Sequence, residues 1–329
     1  MNARGSHAIG IDIGGTKTKA CLVRIADGAV LFDKTVVTPC CEGGQAVLDL
    51  AVALEAEVRS HAASVHEAEC PLGVCLPELV TNRGEPGTAF NFEWRNLSYK
   101  AALSKVVPVL IESDVRSAAF AEGWIGAGRD AQTFVYVTLS TGVAFTLVVN
   151  GRPYRGERGY AIHFGNSELV TFTDAPEPVE VRHNLELLAS GKALGRRYGA
   201  LTGDPTTTGK HLFLAAATDP RAKQLLETSL LSIASYLGQM INMLDPGKVV
   251  IGGGMGGNPA INARLAELTR PFILAEDVRD IPILPAVLGD DVCAIGVAAM
   301  GAGAEAKGGS ALWRAPTHDP ELSVDARLD

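Results

Sequence analysis

Residues 8–19 read AIGIDIGGTKTK, and they set one carboxylate, Asp12, inside an apolar strand that ends in Gly14-Gly15-Thr16-Lys17. Glycines let a backbone approach an anion closely and turn its N–H groups outward. Thr16 and Lys17 add hydroxyl and ammonium donors suited to phosphate oxygens. A carboxylate beside such a cradle can hold Mg²⁺ through water, which makes Asp12 the candidate metal residue. A plain β-hairpin with a polar turn would look the same locally, so the phosphate reading depends on partners elsewhere in the chain.

Three further stretches supply them. Thr138-Leu139-Ser140-Thr141-Gly142 is a second polar glycine turn between apolar runs, with Thr141 and Gly142 at its tip. Val109-Leu110-Ile111 delivers Glu112-Ser113-Asp114 at the C-terminal end of a short strand, where open α/β sheets carry ligand-handling residues. A carboxylate there can take the proton of a hydroxyl that attacks a γ-phosphate; Ser113 and Asp114 also qualify as helix N-caps. The third glycine cluster, Gly252–Gly257, follows Lys248–Ile251 and imitates a dinucleotide fingerprint, with Glu276 and Asp277 some twenty residues on. Too little chain follows for a dehydrogenase half, so Gly253 and Gly254 are read as a floor for adenine or ribose.

The elements that position these groups repeat. Strand 8–13, Lys19–Ile25 and Val30–Val37 form an antiparallel start with a turn at Asp27-Gly28, followed by a helix at 45–63 and a strand at Leu72–Leu76. Lys100–Val106 reads as helical, and Ser117–Glu122 as a second helix. Thr133–Leu139, Val143–Val149, the Asn150-Gly151 turn and Pro153-Tyr154 repeat the opening pattern. Helices at about 184–198, 220–243 and 258–275, a strand at 249–251 and a small-residue helix at 292–302 complete the reading. The expected organisation is α/β, with units at 8–116 and 117–303, the last helix packing back on the first unit, and a mobile tail at 304–329.

Composition narrows the function classes. The 329 residues are 47% hydrophobic, enough for two cores, and carry net charge −8 with no basic block, so nucleic acid is not an expected partner. No apolar run is long enough for a membrane span. The N-terminus enters a strand almost at once, with no signal pattern, and a cytoplasmic location is expected. The six cysteines fit neither a zinc motif nor a disulfide framework, and are expected to be reduced and mostly buried.

Taken in order, these stretches resemble the ROK family of sugar kinases and repressors, within the actin-like, hexokinase-like ATPases. The resemblance runs from about residue 8 to 302. It rests on Asp12–Thr16, Ser113-Asp114 with Ala118-Ala119 and Glu122, Thr138–Gly142, Asn150-Gly151 through Gly159-Tyr160-Ala161, Leu185-Glu186 with Ala189-Ser190-Gly191, Asn242–Pro246, Gly252–Gly254 and Leu288–Asp291. It implies two ribonuclease-H-like domains with ATP and substrate in the cleft between them, Asp114 as catalytic base, and Mg²⁺ bound with ATP near Asp12. On the substrate side it implies Glu186, together with Asn91, Ser113 and Asp114. Relatives are often homodimers.

The departures bear on the substrate. Where the family reads Gly-Glu-Ile-Gly-His, the positions of its sugar-gripping Glu and His hold His163 and Asn166. Ser113 stands for the usual Asn, and Glu78 for the usual Gly after the strand-ending proline. The cysteine-rich zinc motif is absent: Thr171–Asn184 contains no cysteine. The second turn continues Val143-Ala144 instead of a further glycine run. These changes argue against plain glucose and favour an amino sugar or a C7-cyclitol of the valiolone type, with Glu78 as a candidate replacement for the lost carboxylate. The expected activity is ATP-dependent phosphorylation of a primary hydroxyl. The alternative is a catalytically silent sugar-binding regulator of the same fold. A DNA-binding repressor is disfavoured, since only seven residues precede the first strand.

Overall fold

The computed structural model describes residues 6–64, 69–94, 96–161 and 163–304. The expected tail therefore lies almost wholly outside the described residues. The fold is α/β. One five-stranded sheet contains β1 (His7–Ile13), β2 (Lys17–Arg24), β3 (Val30–Val37), β4 (Leu72–Leu76) and β5 (Val109–Ser113), in the order β3-β2-β1-β4-β5. A second contains β6 (Thr133–Leu139), β7 (Val143–Val149), β8 (Arg152–Pro153), β11 (Lys248–Gly252) and β12 (Ile283–Pro285), in the order β8-β7-β6-β11-β12. In both, the first three strands are antiparallel neighbours and the last two run parallel to the first. The repeat seen in the sequence is thus a repeat of sheet topology. A separate hairpin pairs β9 (Leu169–Phe172) with β10 (Glu180–His183).

Each sheet has its own apolar core. The first is built by Ile9, Ile11, Leu72, Val74 and Ile111 against α1 (Gly44–Ser64), which buries Val47, Ala51, Leu54 and Val58 at helical spacing. The second packs Val135, Val137, Val249 and Ile251 against α7 (Pro220–Leu244) and α9 (Pro259–Thr269). Short helices α2 (Tyr99–Leu103), α4 (Leu185–Ala189), α5 (Gly191–Thr202), α6 (Gly209–Ala215) and α8 (Gly253–Gly256) fill the connections.

Two helices join the sheets. α3 (Asp114–Trp124) packs on β6 and β7, and α10 (Val292–Gly301) on β1 and β4, and the two pack on each other. Glycines make the contact close. A Cβ on Gly10 would stand 1.9 Å from the Ala294 carbonyl oxygen, on Gly73 2.0 Å from that of Val297, and on Gly296 1.9 Å from that of Ser117. No side chain larger than hydrogen fits such backbone crossings.

Several expected elements differ. The helix expected over 100–106 ends at Leu103, where Ser104 closes it and Val107-Pro108 leads into β5. Strand β5 extends to Ser113, and α3 begins at Asp114, so the expected boundary at 116/117 falls inside that helix. The single helix expected over 184–198 is two, because Ser190 leaves helical geometry and caps α5 by accepting from the Ala193 N–H. Helix α6, not foreseen, is set by a capping box between Thr208 and His211. The stretch expected as helix to 275 leaves the α-helix at Thr269 and continues as a tight turn, Arg270–Phe272. The thiols are mostly buried as expected, Cys21, Cys70 and Cys75 fully and Cys293 in part, whereas Cys40 and Cys41 are exposed.

Candidate active site

The parallel register sets the first half of the site. Asp12 lies beside Cys75, and Leu76 beside Ser113, so β1, β4 and β5 end together and release Gly14, Pro77-Glu78 and Asp114 along one edge of the sheet, at the C-terminal ends of its parallel strands. The Gly14 N–H donates to the Lys17 carbonyl (2.9 Å), closing a hairpin that leaves Gly15, Thr16 and Lys17 exposed. Thr38, at the end of β3, pins this turn: its hydroxyl donates to the Gly14 carbonyl (2.8 Å) and its N–H to that of Thr16 (3.0 Å).

Two carboxylates dominate the electrostatics. Burial lifts Asp12 from 3.8 to about 6, although the Cys75 thiol donates to its Oδ1 (3.3 Å) and Lys19 opposes the shift. Burial, then the Asp12 charge, lifts Asp114 from 3.8 to about 7; the Val115 N–H bonded to its Oδ1 (2.7 Å) holds it back, Glu78 adds to the rise, and Arg116 opposes it. Cys293, at the start of α10, sits close enough to push the Cys75 thiol further up, and α3 begins at Asp114, so both joining helices touch this edge.

Arg116 and Glu112 brace the edge from beneath. Glu112 is fully buried; it accepts from the Ser113 N–H (2.8 Å) and from Arg116 Nε (2.7 Å), and it pairs with Arg155. Arg116 also donates to the carbonyls of Val80 and Gly159, both at 2.7 Å. Asn82 Nδ2 reaches the carbonyls of Gly156 (3.0 Å) and Glu157 (2.9 Å). The loop after β8 is thereby tied to the loop after β4.

The second half converges on the β6–β7 turn. The Ser140 N–H donates to the Gly142 carbonyl (3.0 Å), and the Ser140 carbonyl accepts from Gly191 (2.8 Å) at the start of α5. Thr141 accepts at its carbonyl from Lys192 (3.3 Å). Glu186 Oε2 accepts from the Val143 N–H (3.0 Å) and lies 2.7 Å from where a Cβ on Gly142 would stand. Gly253 has φ +80°, and its absent Cβ would meet the Leu139 carbonyl oxygen at 2.5 Å, whereas Gly254 faces open space. Gly142 and Gly253 thus sit at close approaches that only a residue without a side chain allows, and they bring the 138–142 turn against Glu186 and the 252–254 turn against Leu139.

The expected substrate residues divide. Glu186, His163 and Asn166 share one region: the Glu186 N–H donates to the Gly165 carbonyl (2.9 Å), and Asn166 Oδ1 accepts from Asn184 (3.1 Å), the N-cap of α4. Partial burial, then the Arg116 charge, lowers His163 below its ordinary 6.5, which favours the neutral ring. With Phe164, Met240, Met243 and Leu244 it lines a cavity of about 210 Å³. Asn91 is exposed beside Gly15. Ser113 is 4% exposed, and its hydroxyl caps α3 by accepting from the Arg116 N–H (3.4 Å), the N-cap role it also qualified for. One expectation is revised. Glu78 is 5% exposed and both its oxygens are spent on residues 88–94, so it cannot replace the lost sugar carboxylate directly. His183, in the region of the missing zinc motif, hydrogen-bonds Thr171 across the β9–β10 hairpin (2.8 Å). Among the described residues no three His, Cys, Asp or Glu side chains are grouped to hold a metal.

Sequence reasoning passed over Thr38, Cys75, Arg116 and Cys293. The i, i+4 spacing of Glu112 and Arg116 across a strand–helix joint was the one available signal, for Arg116. Thr38 and the two cysteines become visible only once the strands are in register.

The ROK family model matches residues 8–303. A beta-glucoside kinase of Listeria innocua serovar 6a is 29% identical over 275 residues, covering 81% of this chain and 89% of the relative. An N-acetylmannosamine kinase of Vibrio cholerae serotype O1 is 27% identical over 298 residues, covering 89% and 98%. Among solved structures, the ROK family glucokinase of Streptomyces griseus in complex with glucose and AMPPNP superposes with a TM-score of 0.71 at 25% identity, covering 89% of this chain and 98% of that one.

Proposed function

The chain belongs to the ROK family, and on that premise we propose that it is an ATP-dependent kinase acting on a hydroxyl of a sugar or sugar-like polyol. The observation that carries the reading is the pair Asp12 and Asp114, set at one sheet edge beside an exposed Gly-Thr-Lys turn, with Asp114 raised to about 7. Phosphoryl transfer asks for positioning and charge neutralisation more than for covalent help. The exposed donors of Gly15, Thr16 and Lys17, with the turn at Thr141-Gly142 and the floor at Gly253-Gly254, suit the phosphates and nucleoside of ATP. The residues fit Mg²⁺ as well, since a half-compensated carboxylate at Asp12 can hold it through water; the ion supplies neutralising charge on the phosphates.

Asp114 takes the proton from the acceptor's hydroxyl as that oxygen forms its bond to the γ-phosphorus; the bond from γ-phosphorus to the β–γ bridging oxygen breaks and ADP leaves. A base that titrates near the operating pH is best matched to this role. Glu186, Asn91, His163 and Asn166 bind and orient the acceptor. The His163 ring and the Asn166 amide stand where the family pattern has Glu and His, which supports an acceptor other than plain glucose. Amino sugars and C7-cyclitols of the valiolone type head the proposal, because a pocket built for one hydroxyl pattern discriminates against another.

A screen of ADP release across hexoses, amino sugars and cyclitols tests this. The reading predicts at least one acceptor with kcat/KM well above that for glucose. ADP release no greater than the acceptor-free background for every polyol would refute it.

A further inference from the structure

Glu78 stands where the family pattern has glycine, and its carboxylate organises one loop completely. Oε2 accepts from the Thr88 hydroxyl (2.6 Å) and the Phe90 N–H (2.9 Å). Oε1 accepts from the Asn91 N–H (2.8 Å), Trp94 Nε1 (3.2 Å) and Asn91 Nδ2 (3.4 Å). All these donors are neutral and all come from residues 88–94. A buried carboxylate is a costly choice unless each oxygen is satisfied, and here each is.

The consequence falls on Asn91. Its Nδ2 donates both to Glu78 and to the Pro77 carbonyl (2.7 Å), so two acceptors fix which way the amide faces. Its Oδ1 accepts nothing from the described residues and lies 3.5 Å from where a Cβ on Gly15 would stand. The side chain is exposed. A flipped amide would turn two N–H donors toward the phosphate turn and set its oxygen against the Pro77 carbonyl and the Glu78 carboxylate, so these two acceptors together oppose that flip. An oxygen has nothing to give a phosphate, whose own oxygens are acceptors. It suits a donor on the alcohol that arrives beside the phosphates.

We propose that Glu78 is a positioning residue: by holding the 88–94 loop and the Asn91 N–H, and with the Pro77 carbonyl, it sets the Asn91 amide so that Oδ1 is the atom left to accept a hydrogen bond from one O–H or N–H group of the phosphate acceptor. This rests on the kinase reading and deepens it. It makes position 78 a determinant of acceptor specificity that never touches the acceptor.

The test is a grid of enzymes against substrates. Wild type, Asn91→Ala, Glu78→Gln and the double variant are assayed with the best acceptor from the screen, with its mono-deoxy analogues, and with amino analogues at the same carbons. Asn91→Ala should lower kcat/KM for the parent acceptor about 10- to 100-fold while leaving KM for ATP unchanged. One deoxy analogue should show no difference between wild type and Asn91→Ala, because the group that Asn91 reads is gone; whether the amino analogue at that carbon restores the difference tells O–H from N–H recognition, and both are forms of the proposal. Glu78→Gln keeps the volume but turns one oxygen into a donor, so it should lose acceptor kcat/KM similarly and add little in the Asn91→Ala background. Should Glu78→Gln fail to fold, Glu78→Asp, which keeps the charge but draws the carboxylate back from Asn91, takes its place in the grid and should show the same loss for the parent acceptor, with none in the Asn91→Ala background. An equal loss across every analogue, or a raised KM for ATP, would mean a merely structural loop and would overturn the inference while leaving the kinase reading intact. A wild-type enzyme that phosphorylates no acceptor would sink both.

Discussion

Replacing Asp114 by Asn should stop transfer and, at the same time, stabilise the protein in a pH-dependent way. The carboxyl titrates at 3.8 when unfolded and at about 7 in the folded chain, chiefly through burial and secondarily through Asp12. Below pH 4 both states hold the proton and the group costs nothing. Between those values the unfolded chain ionises while the folded one keeps its proton, so stability falls as pH rises, by about 1.4 kcal/mol per pH unit. Above pH 7 the loss levels off at about 4 kcal/mol, an upper figure because the side chain is partly exposed. Asn carries no charge and escapes this penalty. Urea titrations of both proteins at pH 4, 6 and 8, without nucleotide, should give curves that nearly coincide at pH 4 and separate progressively, the variant being more stable at pH 8. A gap that does not grow with pH, or turnover in Asp114→Asn close to wild type, would refute the assignment of a strained, ionisable base.

Three further outcomes follow from the geometry. If Asp114 must be ionised to accept a proton, kcat/KM for the acceptor should fall about tenfold per pH unit below pH 7 and flatten above it, and a pH–rate profile from 5 to 9 checks this; a flat profile would contradict it. Gly253→Ala forces a side chain into φ +80° and against the Leu139 carbonyl, so nucleotide affinity measured by calorimetry should drop about tenfold or more, whereas Gly254→Ala, facing open space, should leave it within twofold. Glu112→Gln leaves Arg116 and Arg155 without their buried partner and should cost about 3–5 kcal/mol in denaturant titration.

Much of the scaffold was legible because the signals are local. Apolar runs before Gly14-Gly15 and before Ser140–Gly142, each followed by a polar turn and a second apolar run, announce the two antiparallel starts, and the observed sheets share one strand order. The small residues of 292–302 announce a helix that lies close on a sheet, and Gly10, Gly73 and Gly296 are its contact points. The site was less legible, because its chemistry depends on which atoms are already spent. Glu78 looks like a ligand at a strand end until the loop 88–94 is seen to wrap both its oxygens. Ser113 reads as either a substitute for Asn or a helix cap, and its hydroxyl is found in the second role, on α3. Cys75 and Cys293 lie 218 positions apart and meet only through the packing of α10 on β4. Such facts belong to tertiary register, which no single segment encodes.

The central claim is that Asp114 receives a hydroxyl proton as phosphate moves from ATP to a polyol. Phosphorus NMR of the purified protein with Mg-ATP and the best acceptor tests it most directly. The account predicts a new phosphomonoester resonance growing as the γ-phosphate signal declines, and no such resonance with Asp114→Asn over the same time. A phosphomonoester formed as fast by Asp114→Asn, or γ-phosphate lost only to inorganic phosphate, would contradict it.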